Sequence, residues 1–265
     1  MDLELGGKTA IVTGGSRGIG KAIARELARE GVDVAVASRG RVELDATAKE
    51  LAEETGRRII PITVDTGNEE SVQSMVSQAA TAMGHIDILV NSAARVGGGP
   101  APSLTEVTEE YFWEDMNVKV MGYLRCAREV APYMHTHGWG RIINISGMAA
   151  RQSGSIVGSM RNVAVAAMTK NLADELGPFG INVTVVHPGL TWTERIPGMI
   201  EEQARSQGVS VEEVERQFAE SNTVRRMIDA REIAYVVAFL ASPKSIAING
   251  DTIAAGGGVG KGIHY

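Results

Sequence analysis

Residues 9–20 read TAIVTGGSRGIG, and this stretch decides the fold. Ala10-Ile11-Val12 is a short apolar run of the length of a buried strand. It breaks into Gly14-Gly15-Ser16-Arg17-Gly18-Ile19-Gly20, and a helical pattern follows from Lys21 to Glu30. A strand, a glycine-rich turn and a helix in that order build a phosphate site. The glycines turn the chain tightly and let the backbone approach a pyrophosphate. The helix start presents free N–H groups and the positive end of its dipole. The spacing here is Gly14, three residues, then Gly18-Ile19-Gly20, and the strand and helix contexts that such a motif requires are both present.

Outward from this stretch, strand and helix patterns alternate to the end of the chain. Val34 to Ser38 reads as a second strand, and Glu43 to Glu54 as a helix with Leu44, Ala48 and Leu51 on one face. Ile59 to Val64 is a third strand. Asn68 caps a helix with Glu69 and Glu70 in its first turn, running to Met83. Ile86 to Val90 is a fourth strand, and a loop over residues 95–100 leads into a long helical region from Thr108 to His137. Arg141 to Ser146 reads as a strand, Ser155 to Leu176 as a helix and Ile181 to Val186 as a strand. Residues 194–225 are polar and glycine-poor and predict one or two short helices. A last helix, Ala230 to Leu240, precedes a strand near Thr252 to Ala255. Strands separated by helices predict a doubly wound parallel sheet, the Rossmann α/β fold, with ligands at the carboxyl ends of the strands. Neither an internal repeat nor a Pro/Gly/Ser-rich linker divides residues 1–265, so a single domain is expected. Residues 256–265 read as a tail or as a segment packed across a subunit interface.

With 265 residues and 44% hydrophobic content, the chain suits one large α/β domain. A net charge of −6 argues against a nucleic-acid surface. The single Cys126 excludes an intrachain disulfide and suits a reducing compartment. No apolar run approaches the ~20 residues of a membrane span, and the MDLELGGK start has no signal-peptide core. A soluble cytoplasmic protein is the expectation. His135 and His137 close a helix and offset its dipole, and no His/Cys/Asp spacing predicts a metal site.

The chain resembles the short-chain dehydrogenase/reductase family over essentially its whole length. Thr13-Gly14 with Gly18-Ile19-Gly20 is similar to that family's cofactor turn. Asp65 matches an adenine-contacting acid. Asn91-Ser92-Ala93-Ala94 stands where the family has Asn-Asn-Ala-Gly, keeping Asn91 and Ala93. Asn117 matches an Asn that helps hold an active-site water, and Pro188-Gly189 with Thr193 resembles the segment touching the nicotinamide carboxamide. Residues 248–253 resemble the family's last strand. The resemblance implies a cofactor site that includes Gly14, Ser16, Arg17, Gly18, Ile19 and Gly20.

The resemblance also implies a Ser after strand five and a Tyr-x-x-x-Lys pair on the next helix, with Tyr as acid, Lys lowering its pKa and Ser binding the carbonyl oxygen. Here Gly147 falls at the Ser position, Gly158 at the Tyr and Asn162 at the Lys. Ser146 is one residue early, with its side chain expected on the other face of the strand. The segment between Gly147 and Gly158 is about two residues short. Independently of alignment, no Tyr lies between Tyr133 and Tyr235 and no Lys between Lys119 and Lys170. Lys170 is expected to face away from the site.

An NAD-selective acid is missing from the end of strand two, which is Ser38-Arg39. Arg39 with Arg17 can clamp a 2′-phosphate, so NADP(H) is expected over NAD(H). His187 ends strand six at the ligand edge and is a candidate proton donor. Ser159 and Arg161 flank the Tyr position as hydrogen-bond donors. Arg95, Arg151 and Arg195 follow three successive strands and form either a cationic rim for an anionic small molecule or separate solvated side chains. An apolar stripe of Ala164, Ala167, Met168 and Leu172 predicts a homotetramer or homodimer. Three functions stay open: a carbonyl or alcohol oxidoreductase with a substituted proton relay, an inactive cofactor-binding scaffold or sensor, and non-redox chemistry on the same fold.

Overall fold

The structure, a computed structural model, describes residues 1–95 and 101–260. Its elements in chain order are β1 (Thr9–Thr13), α1 (Gly18–Arg29), β2 (Asp33–Ser38), α2 (Arg41–Thr55), β3 (Ile59–Thr63), α3 (Glu69–Met83) and β4 (Ile88–Asn91). Then come α4 (Glu109–Met116), α5 (Gly122–His137), β5 (Gly140–Ile145), α6 (Ile156–Leu176), β6 (Ile181–Pro188) and β7 (Thr191–Trp192). The chain continues through α7 (Ile196–Gln207), α8 (Val211–Glu220), β8 (Ile228–Asp229), α9 (Ala230–Ala241) and β9 (Thr252–Ala255). Residues 96–100 of the loop after β4, and 261–265 of the C-terminal glycine-rich run, lie outside the described residues.

Seven strands pair in parallel in the order β3-β2-β1-β4-β5-β6-β9. Every residue of β1 is buried, because helices cover both faces of the sheet. Successive β1 side chains serve opposite layers. Ala10 and Val12 pack with Ile23, Leu27 and Val237 of α1 and α9. Ile11, between them, packs with Val76 and Val130 of α3 and α5. The strand order turns back between β1 and β4, so their carboxyl ends, Thr13 beside Asn91, border the crevice where ligands of such folds sit.

The caps follow the local chemistry. Asn68 accepts a hydrogen bond from the Ser71 N–H at 2.7 Å, as expected, and Asp229 with Glu232 forms a capping box at α9. Four features depart from the sequence reading. β4 begins at Ile88, because Asp87 is taken up by the start of β1: the Thr9 N–H donates to its carboxylate at 2.9 Å. The long helical region is interrupted by a π-helical segment, Asn117–Met121, between α4 and α5. Two short strands, β7 and β8, pair to tie the loop after β6 to the start of α9. On α6, Met168 and Leu172 pack against the protein's own clusters. The apolar residues left exposed there are Ile156, Met160, Val163 and Ala167. No helix among the described residues is long and apolar enough to cross a membrane.

Candidate active site

A cleft of about 400 Å³ opens at the carboxyl edge of the sheet. One wall is the glycine turn. Gly14 takes φ +68°, and a Cβ there would stand 2.9 Å from the Ser92 carbonyl oxygen. A Cβ on Gly20 would stand 2.2 Å from the Gly14 carbonyl oxygen, so only glycine lets this turn close on α1. Ser16, Arg17, Gly18 and Ile19 complete this wall. Arg17 makes no side-chain cap, and the Gly18 N–H donates instead to Glu194 Oε1 at 2.8 Å. A carboxylate thus stands in for an anion at the helix start, where the unpaired N–H groups and the dipole favour one.

At the end of β2, Ser38 and Arg39 line the cleft beside Glu43 and Asp65. The Ser38 hydroxyl is buried with no partner among the described residues. Arg17 and Arg39 are exposed, and neither is ion-paired among the described residues. Asp65 accepts from the Gly67 N–H at 2.9 Å. At the end of β4, Ser92, Ala93 and Ala94 form the wall, and Asn91 lies beneath it. Asn91 donates to Asn144 Oδ1 at 3.0 Å, Asn144 donates to Thr169 Oγ1 at 2.9 Å, and Asn91 Oδ1 has no partner among the described residues. Past β6, Thr193, Glu194 and Arg195 reach the cleft. Pro188 is buried, and Gly189 packs against Gly256, where a Cβ would stand 2.9 Å from its Cα.

The structure brings together two of the three substituted positions. A Cβ on Gly147 would stand 3.1 Å from Asn162 Nδ2, and Asn162 Oδ1 is buried with no partner among the described residues. A Cβ on Gly158 would instead stand 2.7 Å from Ser155 Oγ, the group that caps α6 by accepting from the Gly158 N–H at 3.0 Å. Ser146 lines the cleft, with its hydroxyl spent on the Asn162 carbonyl oxygen at 3.2 Å. Lys170 is exposed and paired with Asp174 at 2.7 Å, away from the cleft.

The remaining candidates have other partners. Asn117 donates to the Gly67 carbonyl at 3.1 Å and accepts from Arg125 at 2.8 Å. Ser159 donates to the Gln152 carbonyl at 3.3 Å. Arg161 grips both oxygens of Asp115 at 2.7 Å. His187 is buried and accepts from the Gly147 N–H through Nδ1 at 3.4 Å. Burial, with the Arg151 and Lys119 cations adding to it, holds its pKa down to about 4, so the ring is uncharged at neutral pH. The three rim arginines do not converge. Arg95 is paired with Glu114, and Arg151 donates to the Thr252 carbonyl at 3.4 Å. Arg195 alone lines the cleft.

Glu194 and Lys119 are among the cleft residues that the sequence reading missed. Glu194 has no local signal, since it reaches Gly18 across 176 residues of chain. Lys119 had one. It heads the helical spacing Lys119, Tyr123, Cys126, Val130, whose other members are buried, so a cation at an apolar-stripe position marks it. Only 4% of Lys119 is exposed, and its Nζ donates to the Ser146 carbonyl at 3.0 Å. Burial, then the Arg161 cation, lowers its pKa to about 7, with Asp115 partly opposing.

A dinucleotide fits this donor set. The Gly18 N–H already holds a carboxylate, and Ser38 Oγ, on the cleft lining, is a buried polar atom with no partner among the described residues. The comparisons agree with this geometry. Residues 14–260 match the family model described as enoyl-(acyl carrier protein) reductase. The chain is 35% identical to the short-chain reductase protein NovJ of Streptomyces niveus, over 94% of this chain and 92% of that one. It is 29% identical to the NADPH-dependent reductase BacG of Bacillus subtilis, over 97% of this chain and 99% of that one. The structure of L-sorbose reductase from Gluconobacter frateurii, complexed with NADPH and L-sorbose, superposes with a TM-score of 0.93 at 29% identity. That match covers 99% of this chain and 100% of the other.

Proposed function

Because the chain belongs to the short-chain dehydrogenase/reductase family, we propose that it is an NADPH-dependent oxidoreductase of a carbonyl or alcohol substrate, with a proton relay other than the Tyr–Lys pair. The observation that carries this reading is the glycine turn, whose Gly18 N–H holds a carboxylate in the place of a phosphate. Gly14, Gly18 and the start of α1 would hold the pyrophosphate, and Asp65 and Ala93 would border the adenosine and nicotinamide sides. Arg39, Arg17 and the Ser38 hydroxyl, unpartnered among the described residues, would take the 2′-phosphate, since two guanidinium groups against the single Glu43 carboxylate favour that anion. The bound reduced nicotinamide would supply a hydride to a carbonyl carbon. Arg195 on the cleft wall favours a substrate with an anionic group. NADPH and NADH are titrated by fluorescence against wild type and Arg39→Ala. Wild type should prefer NADPH, and the variant should lose about tenfold of that preference, as expected for one phosphate–guanidinium contact. Equal wild-type affinities would remove the NADPH assignment.

A scaffold that binds NADPH without turnover is the second reading. It is favoured by Gly158, which offers no acid where the family's Tyr would stand. NADPH oxidation with a panel of carbonyls separates the two readings. The exposed α6 face supports a homo-oligomer under either.

A further inference from the structure

We propose that Lys119 donates the proton to the oxygen of a carbonyl bound in this cleft, taking the part of the absent Tyr. This rests on the oxidoreductase reading above. Its Nζ makes one hydrogen bond among the described residues, to the Ser146 carbonyl, and Ser146 adjoins Gly147, where the family's carbonyl-binding Ser would stand. An ammonium carries three N–H donors, so two remain for a ligand on the side where Lys119 lines the cleft. The π-helical segment that carries it is itself a deviation of the kind found at functional sites.

The surroundings free this ammonium rather than neutralise it. Asp115, on α4, is the nearby acid, and both of its oxygens are taken by Arg161 of α6 at 2.7 Å. Tyr123 of α5 has its ring 6.0 Å from Nζ and its hydroxyl on the Ile145 carbonyl at 2.8 Å. It is fully buried, and that burial raises its pKa above the ordinary tyrosine value. His187 of β6 is uncharged at neutral pH. Lys119, brought down to about 7, is thus matched to neutral pH, where a general acid works best.

The balance closes with NADPH as the reductant. A carbonyl carbon that gains a hydride pushes its π pair onto oxygen. The oxygen bonds to a proton of Nζ, the N–H bond breaks, and its pair stays on nitrogen as a neutral amine. Solvent water returns the proton.

Two experiments test this. In the first, wild type without ligand is trace-acetylated with acetic anhydride across pH, and Lys119 is compared by mass spectrometry with the exposed Lys49 and Lys170. A Lys119 midpoint near pH 7 supports the proposal, and one within a unit of the two reference lysines overturns it, whether or not turnover is found. In the second, wild type, Lys119→Met and Lys119→Arg oxidise NADPH with L-sorbose, acetoacetyl-CoA and benzaldehyde. The variants should lose about 10²-fold in kcat, together with the wild-type fall in rate as pH rises through about 7. NADPH affinity and Tm measured in parallel separate a lost proton from a lost cofactor or a lost fold. Variants that keep both rate and pH limb overturn the proposal and leave the oxidoreductase reading standing. A folded wild type that binds NADPH yet oxidises it with none of these carbonyls overturns that reading directly, and the proposal with it.

Discussion

At the scale of single residues, Lys119 exchanges stability for a site. An ammonium buried without its own carboxylate is held there against its hydration energy. Its pKa falls from the ordinary 10.5 to about 7 in the folded chain. Between those values the unfolded chain binds more protons. Stability from this group is therefore present above pH 10.5 and is lost as pH falls toward 7. Lys119→Met removes the charge and keeps the length. It should raise unfolding stability at pH 7 by on the order of 1–3 kcal/mol, with the gap to wild type narrowing at pH 9. Urea unfolding of both proteins at the two pH values checks this. A variant less stable at pH 7 would mean that the Ser146 hydrogen bond outweighs the buried charge.

At the scale of elements, the loop after β6 works against the site it borders. Pairing of β7 with β8 anchors the loop, and Glu194 then reaches the Gly18 N–H at the head of α1. A phosphate bound there must displace this carboxylate, which competes for the same N–H and repels the incoming charge. Glu194→Gln keeps the shape and removes the charge, so NADPH should bind roughly two- to tenfold more tightly. Fluorescence titration of the variant against wild type decides it. An unchanged or weaker affinity would show that Glu194 leaves the turn at no cost, or helps to hold the ligand.

At the scale of the whole molecule, acid stability and assembly are the readable properties. His187 is buried at the end of β6, and its pKa drops from 6.5 to about 4 on folding. Below pH 6.5 the unfolded chain takes up a proton that the folded chain refuses until about pH 4. The contribution is thus present above pH 6.5 and is lost across that window, by roughly 2–3 kcal/mol. His187→Asn should flatten the decline of Tm between pH 7 and pH 4. A decline as steep as that of wild type would assign it to the carboxylates instead. On the surface, Ile156, Met160, Val163 and Ala167 recur at helical spacing along α6 and lie exposed. Light scattering at micromolar concentration should show a dimer or tetramer, and Val163→Glu should dissociate it. A monomeric wild type would leave that face solvated.

The strand–turn–helix at residues 9–20 and the alternation of strands and helices were legible in the sequence because each is set locally. Period-two and period-3.6 patterns are written residue by residue, and Gly20 is required by a contact within its own turn while Gly14 turns at a positive φ. The loss of the Tyr–Lys pair was legible too, as a plain absence of those residue types between Tyr133 and Tyr235. Where the remaining polar groups point was decided by tertiary structure. Arg161 could equally have flanked a substrate, but Asp115 meets it across two helices. For Arg95 and Arg151 the sequence left a common rim and separate side chains both open, and each found a partner of its own. Glu194 bridges 176 residues to Gly18, and Lys119 bonds the Ser146 carbonyl from 27 residues away. Charged side chains are long and take whichever partner the packed backbone brings within about 3 Å. That choice depends on the relative placement of segments far apart in the chain, and no local pattern encodes it.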